Sequence, residues 1–309
     1  MTRSLRRPDF LVIGGSRCGT TSLHAALTRH PGLFVPAEKS PNYFSAPDVD
    51  RVPDSAALRA MKGHAVTSEA EYLRLFAGAP AHAVAGEVSP VYLQSVHTPG
   101  RAAAFCPDAR IVAMLRHPVE RAFAHWLGRR RDGLDPHDTF EAAIAAERTA
   151  WAPPDVAFNQ YLAIGRYAHF LRPWFDHFPR ERIRVVFFDD FVRDPRSVVN
   201  DVCGFLGVSP LAGEIPMEQR NKGGIIRQPL MRSVWTRTAL LRARLRRILP
   251  ASLRDAVGRV MLRDLDRPRV DAALAAELFT LYEHDLADLG GLLPQPRPAW
   301  TAQGTAPRR

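Results

Sequence analysis

The sequence predicts an α/β fold with three layers, in which a central parallel sheet is flanked by helices. Short apolar runs that end in turn or polar residues recur along the chain, and segments with helical periodicity separate them. Alternating strands and helices are typical of a parallel sheet whose strands are covered on both faces. The length of 309 residues and the apolar content of 46% are sufficient for one large domain with its own core.

Four segments have the pattern of buried strands. They span residues 10–13, 83–86, 111–115 and 183–188, and each is short, apolar and followed by polar or turn residues. Ligands of parallel α/β sheets bind beyond the carboxyl ends of the strands. The segments that follow the first and third strands are therefore the places where we expect a site.

The helical segments alternate with these strands along the chain. Their predicted ranges are 20–29, 68–76, 119–131, 139–149, 167–177 and 194–206. We expect a single domain over residues 8–293. The tail over 294–309 is rich in proline and small residues, so we expect it to be extended or disordered apart from an anchor at Trp300.

The basic charge of the chain is concentrated in one late segment. The net charge is +10, and residues 227–269 contain twelve arginines and three aspartates without lysine or glutamate, so this segment alone contributes +9. A general nucleic-acid-binding protein more commonly spreads its basic residues over the fold. We therefore expect no nucleic acid partner.

The cysteines indicate neither a disulfide framework nor a metal site. Cys18, Cys106 and Cys203 are odd in number and far apart, and the sequence has no CxxC pair or Cys/His cluster. The chain starts with polar and basic residues and has no apolar run of ~20 residues, so neither a signal peptide nor a spanning helix is expected. These observations favour a cytoplasmic protein that requires no metal.

Residues 10–23 read FLVIGGSRCGTTSL, an apolar strand followed by a glycine turn and a hydroxyl-rich helix start. Main-chain N–H groups and the positive end of a helix dipole meet at such a turn, so it is suited to bind an anion. The spacing Gly14-x4-Gly19 is that of a P-loop, but Thr20 stands where a nucleoside triphosphate loop has lysine, and the cation is Arg17. We expect a P-loop-like fold whose loop binds a phosphate-like group other than the γ-phosphate of ATP. The candidate binding residues are Arg17, Cys18, Gly19, Thr20, Thr21 and Ser22.

A second motif, IVAMLRHPVERAFAHW, covers residues 111–126. Arg116 ends a buried strand, and Arg121 lies on the helix that follows. An arginine at the carboxyl end of a strand can offer its planar guanidinium to a phosphate. Taken alone, the residues leave open a surface ion pair for Arg116 and a solvated position for Arg121.

Together, the two motifs resemble those of sulfotransferases that use 3′-phosphoadenylyl sulfate (PAPS), in particular the bacterial and heparan-sulfate-type enzymes. GxxRxGTTSL is similar to their loop for the 5′-phosphosulfate. The second motif is similar to RxPxxRAxSxY, which places Arg116 on the 3′-phosphate and Ala124 where a serine usually shares it. NKGG at 221–224 resembles the loop that closes over the nucleotide, which implies binding roles for Lys222, Gly223 and Gly224.

The resemblance covers roughly residues 8–225 and again the helical end over 270–293, and it implies a defined reaction. A sulfuryl group would move from PAPS to a hydroxyl or amine acceptor, which is a carbohydrate, a glycolipid or a small natural product. Two alternatives stay open at this point. One is a P-loop-type kinase of a small hydroxylated substrate, and the other is a non-catalytic nucleotide-binding protein at the membrane periphery.

The general base is the least defined residue of this site. The related enzymes carry a glutamate in a KExxxF-like segment, where this chain has KSPNYF and therefore Ser40. A serine cannot accept the proton unaided. We rank Glu87 first as the base, ahead of Glu38 and His125. Arg17 is expected to neutralise the charge that develops on the leaving phosphate.

The late basic segment has a helical pattern between residues 230 and 249, with leucines and other apolar residues near helical spacing and arginines between them. A basic amphipathic helix can bind an anionic membrane surface or attract an anionic acceptor. A surface helix that packs its apolar stripe on the core has the same pattern. The sequence thus leaves open a peripheral association with the inner face of the membrane.

Overall fold

The computed structural model describes residues 6–149, 154–213, 224–226, 234–235, 238, 265–266, 268–293 and 300. Its centre is a five-stranded sheet with the order β2-β3-β1-β4-β5, in which all neighbouring strands are parallel. The strands are β1 (Phe10–Gly14), β2 (Leu33–Phe34), β3 (Val84–Val88), β4 (Arg110–Leu115) and β5 (Ile183–Phe187).

Alternate side chains of the central strands belong to two separate cores. On β1, Leu11 and Ile13 contribute to one core, and Phe10 and Val12 contribute to the other. All four of these side chains are fully buried. Because successive side chains of a strand point to opposite faces, both faces of the sheet are covered. The predicted class, a three-layer α/β fold with a parallel sheet, is therefore confirmed.

Helices cover both faces of the sheet. Helices α1 and α9 contribute to the core that contains Phe10 and Val12, whereas α4, α5, α7, α10 and α11 contribute to the core that contains Leu11 and Ile13. The helices are α1 (Thr20–Leu27), α2 (Ala56–Lys62), α3 (Glu69–Arg74), α4 (Thr98–Phe105), α5 (Pro118–Arg131), α6 (Phe140–Thr149), α7 (Tyr167–His177), α8 (Phe188–Arg193), α9 (Pro195–Leu206), α10 (Ala272–Thr280) and α11 (Glu283–Leu292).

Shorter elements complete the described part of the chain. An antiparallel pair is formed by β6 (Ile225–Ile226) and β7 (Leu265–Asp266). The 3₁₀ helices are Tyr43–Arg51, Pro90–Gln94, Ala163–Gly165 and Arg180–Arg182. Among the described helices, none has the length and hydropathy to span a membrane.

All four predicted strands are present, with ends that differ by a few residues from the expected ones. The six helices predicted between residues 20 and 206 are present as well. The sequence patterns did not indicate β2, which has two residues, or the helices α2, α4 and α8. The predicted amphipathic stretch 230–249 lies almost entirely outside the described residues, as does most of the tail 294–309.

Candidate functional site

A cavity of about 1360 Å³ opens at the carboxyl ends of the strands. Its lining comes from the segments that follow all five strands, as expected for a parallel α/β sheet. Helices α2, α5 and α10 supply further lining residues. Residues from the first predicted loop line it as well, namely Ser16, Arg17, Gly19, Thr20, Thr21 and Ser22.

The loop after β1 has the backbone geometry of an anion-binding turn. Gly14 has a φ of 153°, and a Cβ at this position would lie 2.4 Å from the carbonyl oxygen of Met114 on β4. Gly19 has a φ of 89° and is the N-cap residue of α1. Because Gly19 has no side chain, it cannot cap the first N–H groups of α1. These N–H groups face the loop and can donate to a bound anion.

Arg17 extends from this loop towards helix α5. Its φ is 74°, and its guanidinium packs directly against Gly128, where a Cβ would lie 1.4 Å from Arg17 Nη2. Burial lowers the pKa of Arg17 to about 10, and the positive charge of Arg131 acts in the same direction. The carboxylate of Asp132 opposes this shift. Arg17 therefore places a cation in the cavity lining, against helix α5.

Arg116 lies at the end of β4, on the other side of the same loop. Its Nη1 donates to the carbonyl oxygen of Arg17 at 3.4 Å, and its Nη2 forms an ion pair with Glu120 at 3.2 Å. The guanidinium also stacks on the ring of Phe188, 4.7 Å from the centroid. Ala124 lines the cavity one helical turn beyond Glu120. The two cationic candidates, Arg17 and Arg116, are thus brought together.

The second arginine of this motif, Arg121, is fully buried, so the solvated position that the sequence left open is excluded. Its Nη2 donates to the carbonyl oxygen of Tyr161. A Cβ on Gly15 would lie 2.8 Å from Arg121 Cδ, so the side chain packs directly beneath the loop after β1. Cys18 is also fully buried, and burial raises the pKa of its thiol to about 11. Cys18 contributes main-chain atoms to the loop, while its side chain belongs to the core.

The segments after β2 and β3 form the opposite side of the cavity. Ser40 and Asn42 have φ values of 65° and 56°, an uncommon conformation for residues with a side chain. The main-chain N–H of Ser40 donates to Val88 O at 2.9 Å, which attaches this turn to the end of β3. Gln94 Nε2 donates to Ser16 Oγ at 2.8 Å. This hydrogen bond joins the segment after β3 to the loop after β1.

The two carboxylates considered as bases differ in environment. Glu87 lies on β3 and is 1% exposed, and Tyr72 OH donates to its Oε1 at 3.4 Å. Burial raises the pKa of Glu87 to about 7, against the opposing effects of the Tyr92 and Ser89 hydroxyl groups and the charge of Lys39. The side chain of Glu38 is exposed. Neither carboxylate is among the described residues that line the cavity, whereas Lys39 is.

His125, the third candidate, lines the cavity from α5 and is 8% exposed. Burial and the positive charge of Arg129 hold its pKa well below the usual range, so the imidazole is neutral. Its Nδ1 has no hydrogen-bond partner among the residues that the structure describes. A neutral imidazole in this position can accept a hydrogen bond or a proton from a ligand.

Of the late glycine loop, Lys222 and Gly223 lie outside the described residues. Gly224 is buried and has a φ of 138°. Within the basic segment, Trp235 is 9% exposed and its Nε1 donates to Asp132 Oδ1 at 3.2 Å. The expected anchor at Trp300 is also present, because its side chain is 1% exposed and its Nε1 donates to Asp189 Oδ2 at 2.6 Å.

Several lining residues were not indicated by the sequence motifs. Helix α2 contributes three apolar residues, Phe188 and Asp189 follow β5, and Gln94 follows β3. The only signal for α2 was the spacing of Ala57, Leu58 and Met61, which places them on one face of a helix. No group of acidic, histidine or cysteine side chains that could bind a metal is found within the described part of the chain.

A family model described as the sulfotransferase family matches residues 8–211. The chain belongs to this family. The sequence-based identification of a sulfotransferase is therefore confirmed. The two sequence motifs that led to it, at residues 10–23 and 111–126, both lie within the matched residues.

A solved structure extends the similarity over nearly the whole sulfotransferase chain. The crystal structure of a sulfotransferase from Alicyclobacillus acidocaldarius has a TM-score of 0.72 and 28% sequence identity. The similarity covers 96% of this chain and 99% of that one. The structural similarity therefore extends beyond residues 8–211, which the family model matches.

Curated relatives match a shorter part of the sulfotransferase. Bifunctional heparan sulfate N-deacetylase/N-sulfotransferase 4 of Mus musculus is 29% identical over 211 residues, which are 66% of this chain and 22% of the relative. Bifunctional heparan sulfate N-deacetylase/N-sulfotransferase 1 of Mus musculus is 30% identical over 210 residues, with the same shares. The chain thus spans about a fifth of the length of these relatives.

Proposed function

We propose that this sulfotransferase moves the sulfuryl group of PAPS to a hydroxyl or amine group of an acceptor, which is a carbohydrate, a glycolipid or a small natural product. The observation that carries the proposal is the pair of cationic sites on the neighbouring strands β1 and β4. Arg17 and Arg116 lie on one cavity and are joined by the hydrogen bond from Arg116 to the carbonyl oxygen of Arg17. A nucleotide with phosphate groups at both its 5′ and 3′ positions requires two such sites.

Binding would use main-chain and side-chain donors together. The N–H groups at the start of α1 and the hydroxyl groups of Thr20 and Thr21 would bind the 5′-phosphosulfate. Arg116 would bind the 3′-phosphate, with no hydroxyl at Ala124 to share it. In the late glycine loop, Lys222, Gly223 and Gly224 would cover the nucleotide. PAPS supplies the activated sulfuryl group, and no residue of the chain needs to form a covalent bond to it.

Arg17 would stabilise the negative charge that develops during the reaction. Its guanidinium is partly withdrawn from water, where a cation interacts more strongly with negative charge than it does in bulk solvent. As the bond to sulfur breaks, negative charge develops on the leaving phosphate next to the helix start. Arg17 and the N–H groups of α1 would stabilise this charge.

For the general base we propose Glu87, whose pKa of about 7 suits a group that accepts a proton near neutral pH. Glu87 does not line the cavity, whereas Lys39 and Ser40 do, so proton transfer to Glu87 requires the lining to move or a water molecule to intervene. If Glu87 is the base, Glu87→Gln abolishes turnover while nucleotide binding is retained. Near-normal turnover would exclude it, and His125→Asn is then the next variant to measure.

The test of the proposed function has two steps. Thermal shift with adenosine 3′,5′-bisphosphate is compared with thermal shift in ATP and magnesium, and the bisphosphate is expected to stabilise the protein. Transfer of a radioactive sulfuryl group from PAPS to an acceptor mixture then separates an enzyme from a binding protein. Stabilisation by ATP alone would contradict the proposal and favour a kinase.

We also propose, as a secondary part of this function, that the basic stretch 230–249 contacts an anionic membrane surface. It is supported by the twelve arginines and three aspartates of residues 227–269. Flotation with liposomes that contain anionic lipid is the direct measurement. Equal recovery of the protein with neutral and with anionic liposomes would contradict the proposed membrane contact.

A further inference from the structure

The loop after β1 divides the cavity into two sides, because β1 is the central strand of the sheet. On one side lie the segments after β4 and β5, with Arg116, Phe188 and Asp189. We call this the β4 side. On the other lie the segments after β2 and β3 together with helix α2, and we call it the β3 side. Since Arg116 assigns the nucleotide to the β4 side in the proposed function, the β3 side is left for the acceptor.

Helix α2 presents its apolar residues to the β3 side. Ala57, Leu58 and Met61 all line the cavity. The charged residues of the same helix point away and are paired at the surface, where Arg59 contacts Asp54 and Lys62 Nζ lies 2.6 Å from Asp50 Oδ1. The helix is therefore amphipathic with its apolar face towards the empty volume.

The remaining lining of the β3 side is apolar or uncharged. Pro90 and Val91 continue the apolar surface of α2, and Ser40, Asn42 and Gln94 add polar groups without charge. Among the described residues on this side, Lys39 is the one with a full charge, and it lies close enough to Glu87 to influence the pKa of that carboxyl.

Arg129 on α5 also lines the cavity. Its guanidinium donates to the carbonyl oxygens of Asn159 at 3.3 Å and Phe158 at 2.5 Å and packs on the ring of Tyr161, 5.3 Å from the centroid. These contacts hold the guanidinium of Arg129 against the main chain of Phe158 and Asn159. A polyanionic saccharide on the β3 side would meet one charged lining residue, Lys39, among the described residues of that side.

We infer that the acceptor is an uncharged hydroxyl compound with an apolar body, which lies along α2 and the Pro90–Val91 surface with its hydroxyl group towards Lys39 and Ser40. The inference rests on the proposed sulfuryl transfer and specifies its acceptor. It differs from the heparan sulfate named in the curated relatives. The observation behind it is the apolar face of α2, whose residues Ala57, Leu58 and Met61 line the cavity together with Pro90 and Val91.

The test uses the full chain and defined acceptors. Sulfuryl transfer from labelled PAPS is measured for 1-alkanols from butanol to octanol and for a partly N-deacetylated heparan sulfate oligosaccharide. We expect kcat/KM to rise by a factor of about 2 to 4 for each added methylene, as burial of apolar surface predicts. The oligosaccharide is expected to be the poorer acceptor.

Two variants of α2 form a matched pair. Met61→Gln introduces a polar group into the lining, and Arg59→Gln changes the exposed face of the same helix. We expect Met61→Gln to lower kcat/KM for octanol by about fivefold to tenfold and to flatten the dependence on chain length. Arg59→Gln should retain both the kcat/KM for octanol and its dependence on chain length. Neither variant should change the affinity for adenosine 3′,5′-bisphosphate.

The outcomes separate the inference from the function on which it rests. Transfer to the oligosaccharide alone, no transfer to either acceptor class, or transfer to alkanols without dependence on chain length would overturn the inference. If the bisphosphate still binds in those cases, nucleotide binding is retained and the acceptor class is wrong. If the bisphosphate does not bind to the unaltered chain, the proposed function fails, and the inference fails with it.

Discussion

Glu87 is a carboxyl group whose ionisation opposes folding. Its pKa is 4.5 in an exposed chain and about 7 in the folded protein, because burial disfavours the charged form. The folded state therefore binds its proton up to higher pH than the unfolded state does. The contribution of this group to stability is fully present below pH 4.5 and is lost as the pH rises through 7.

We predict that Glu87→Gln removes this pH dependence. The free energy of unfolding of the variant relative to the unaltered protein should increase by up to about 3 kcal/mol between pH 4.5 and pH 7. Urea denaturation at several pH values measures the difference. Glu38→Gln is the control, since this carboxyl is exposed and its replacement should leave the profile unchanged. Parallel pH profiles of the free energy of unfolding for all three proteins would contradict the raised pKa of Glu87.

Arg116 is already paired before any ligand is present. Its partner Glu120 is 31% exposed and also lines the cavity, so a 3′-phosphate at Arg116 would lie near a carboxylate. We predict that Glu120→Gln strengthens binding of adenosine 3′,5′-bisphosphate by about threefold to tenfold, because it removes the repulsion between the Glu120 carboxylate and the 3′-phosphate. The gain should shrink at high salt.

Isothermal titration calorimetry at two ionic strengths measures this effect. Glu141→Gln is a suitable control, because Glu141 is exposed on α6 and is not among the described lining residues. Weaker binding by Glu120→Gln would show instead that the ion pair positions Arg116 for the ligand. In that case Glu120 would be a positioning residue.

At the scale of elements, helix α5 combines a binding surface with a close contact to the loop after β1. Gly128 allows the guanidinium of Arg17 to pack against the helix backbone, as no other residue type would. In most helices an alanine in place of an interior glycine is stabilising by roughly 1 kcal/mol. At this position it would displace Arg17.

We predict that Gly128→Ala retains the fold but lowers turnover at least about tenfold, through loss of the Arg17 position. Gly204→Ala on α9 is the matched control, because a Cβ there meets no atom within 4 Å. The control should gain thermal stability and keep its activity. Unchanged turnover in Gly128→Ala would mean that the position of Arg17 is not critical for the reaction.

The elements differ in how far the sequence could predict them. The four predicted strands are continuous apolar runs buried on both faces, a local signal that the sequence contains directly. The loop after β1 and Arg116 could be predicted because each comes directly after a strand, where the ligand-binding residues of parallel sheets lie. By contrast, β2 is too short for a pattern, and the lining by α2 depends on the packing of segments distant in the chain. Burial of Arg121 likewise depends on Tyr161, forty residues away.

At the scale of the whole molecule, the end of the described chain returns to the β4 side of the cavity. Trp300 packs on His117 and Phe187, with ring centroids 5.9 Å and 5.7 Å away, and donates to Asp189. His117 and Asp189 both line the cavity. Burial lowers the pKa of His117 to about 4, so its imidazole stays uncharged at neutral pH.

We predict that Trp300→Ala lowers both the thermal stability and the affinity for adenosine 3′,5′-bisphosphate. Truncation of a buried tryptophan costs about 3 to 5 kcal/mol of stability. The substitution also removes the hydrogen bond from Trp300 to Asp189, which lines the cavity. Trp300→Phe keeps ring packing without the N–H donor and should recover most of the stability. Differential scanning calorimetry and calorimetric titration measure the two effects. If Trp300→Ala matched the unaltered protein in both, the contact would have no role in the site.

The hydrogen bond from Gln94 to Ser16 crosses the boundary between the two sides of the cavity. A ligand on the β3 side that draws Gln94 away alters the loop that meets the nucleotide, and a nucleotide that reorients Ser16 alters the surface offered to the acceptor. Such effects are thermodynamically reciprocal, so each ligand changes the affinity of the other by the same factor. Cooperativity between the two substrates therefore has a physical route through a single side-chain contact.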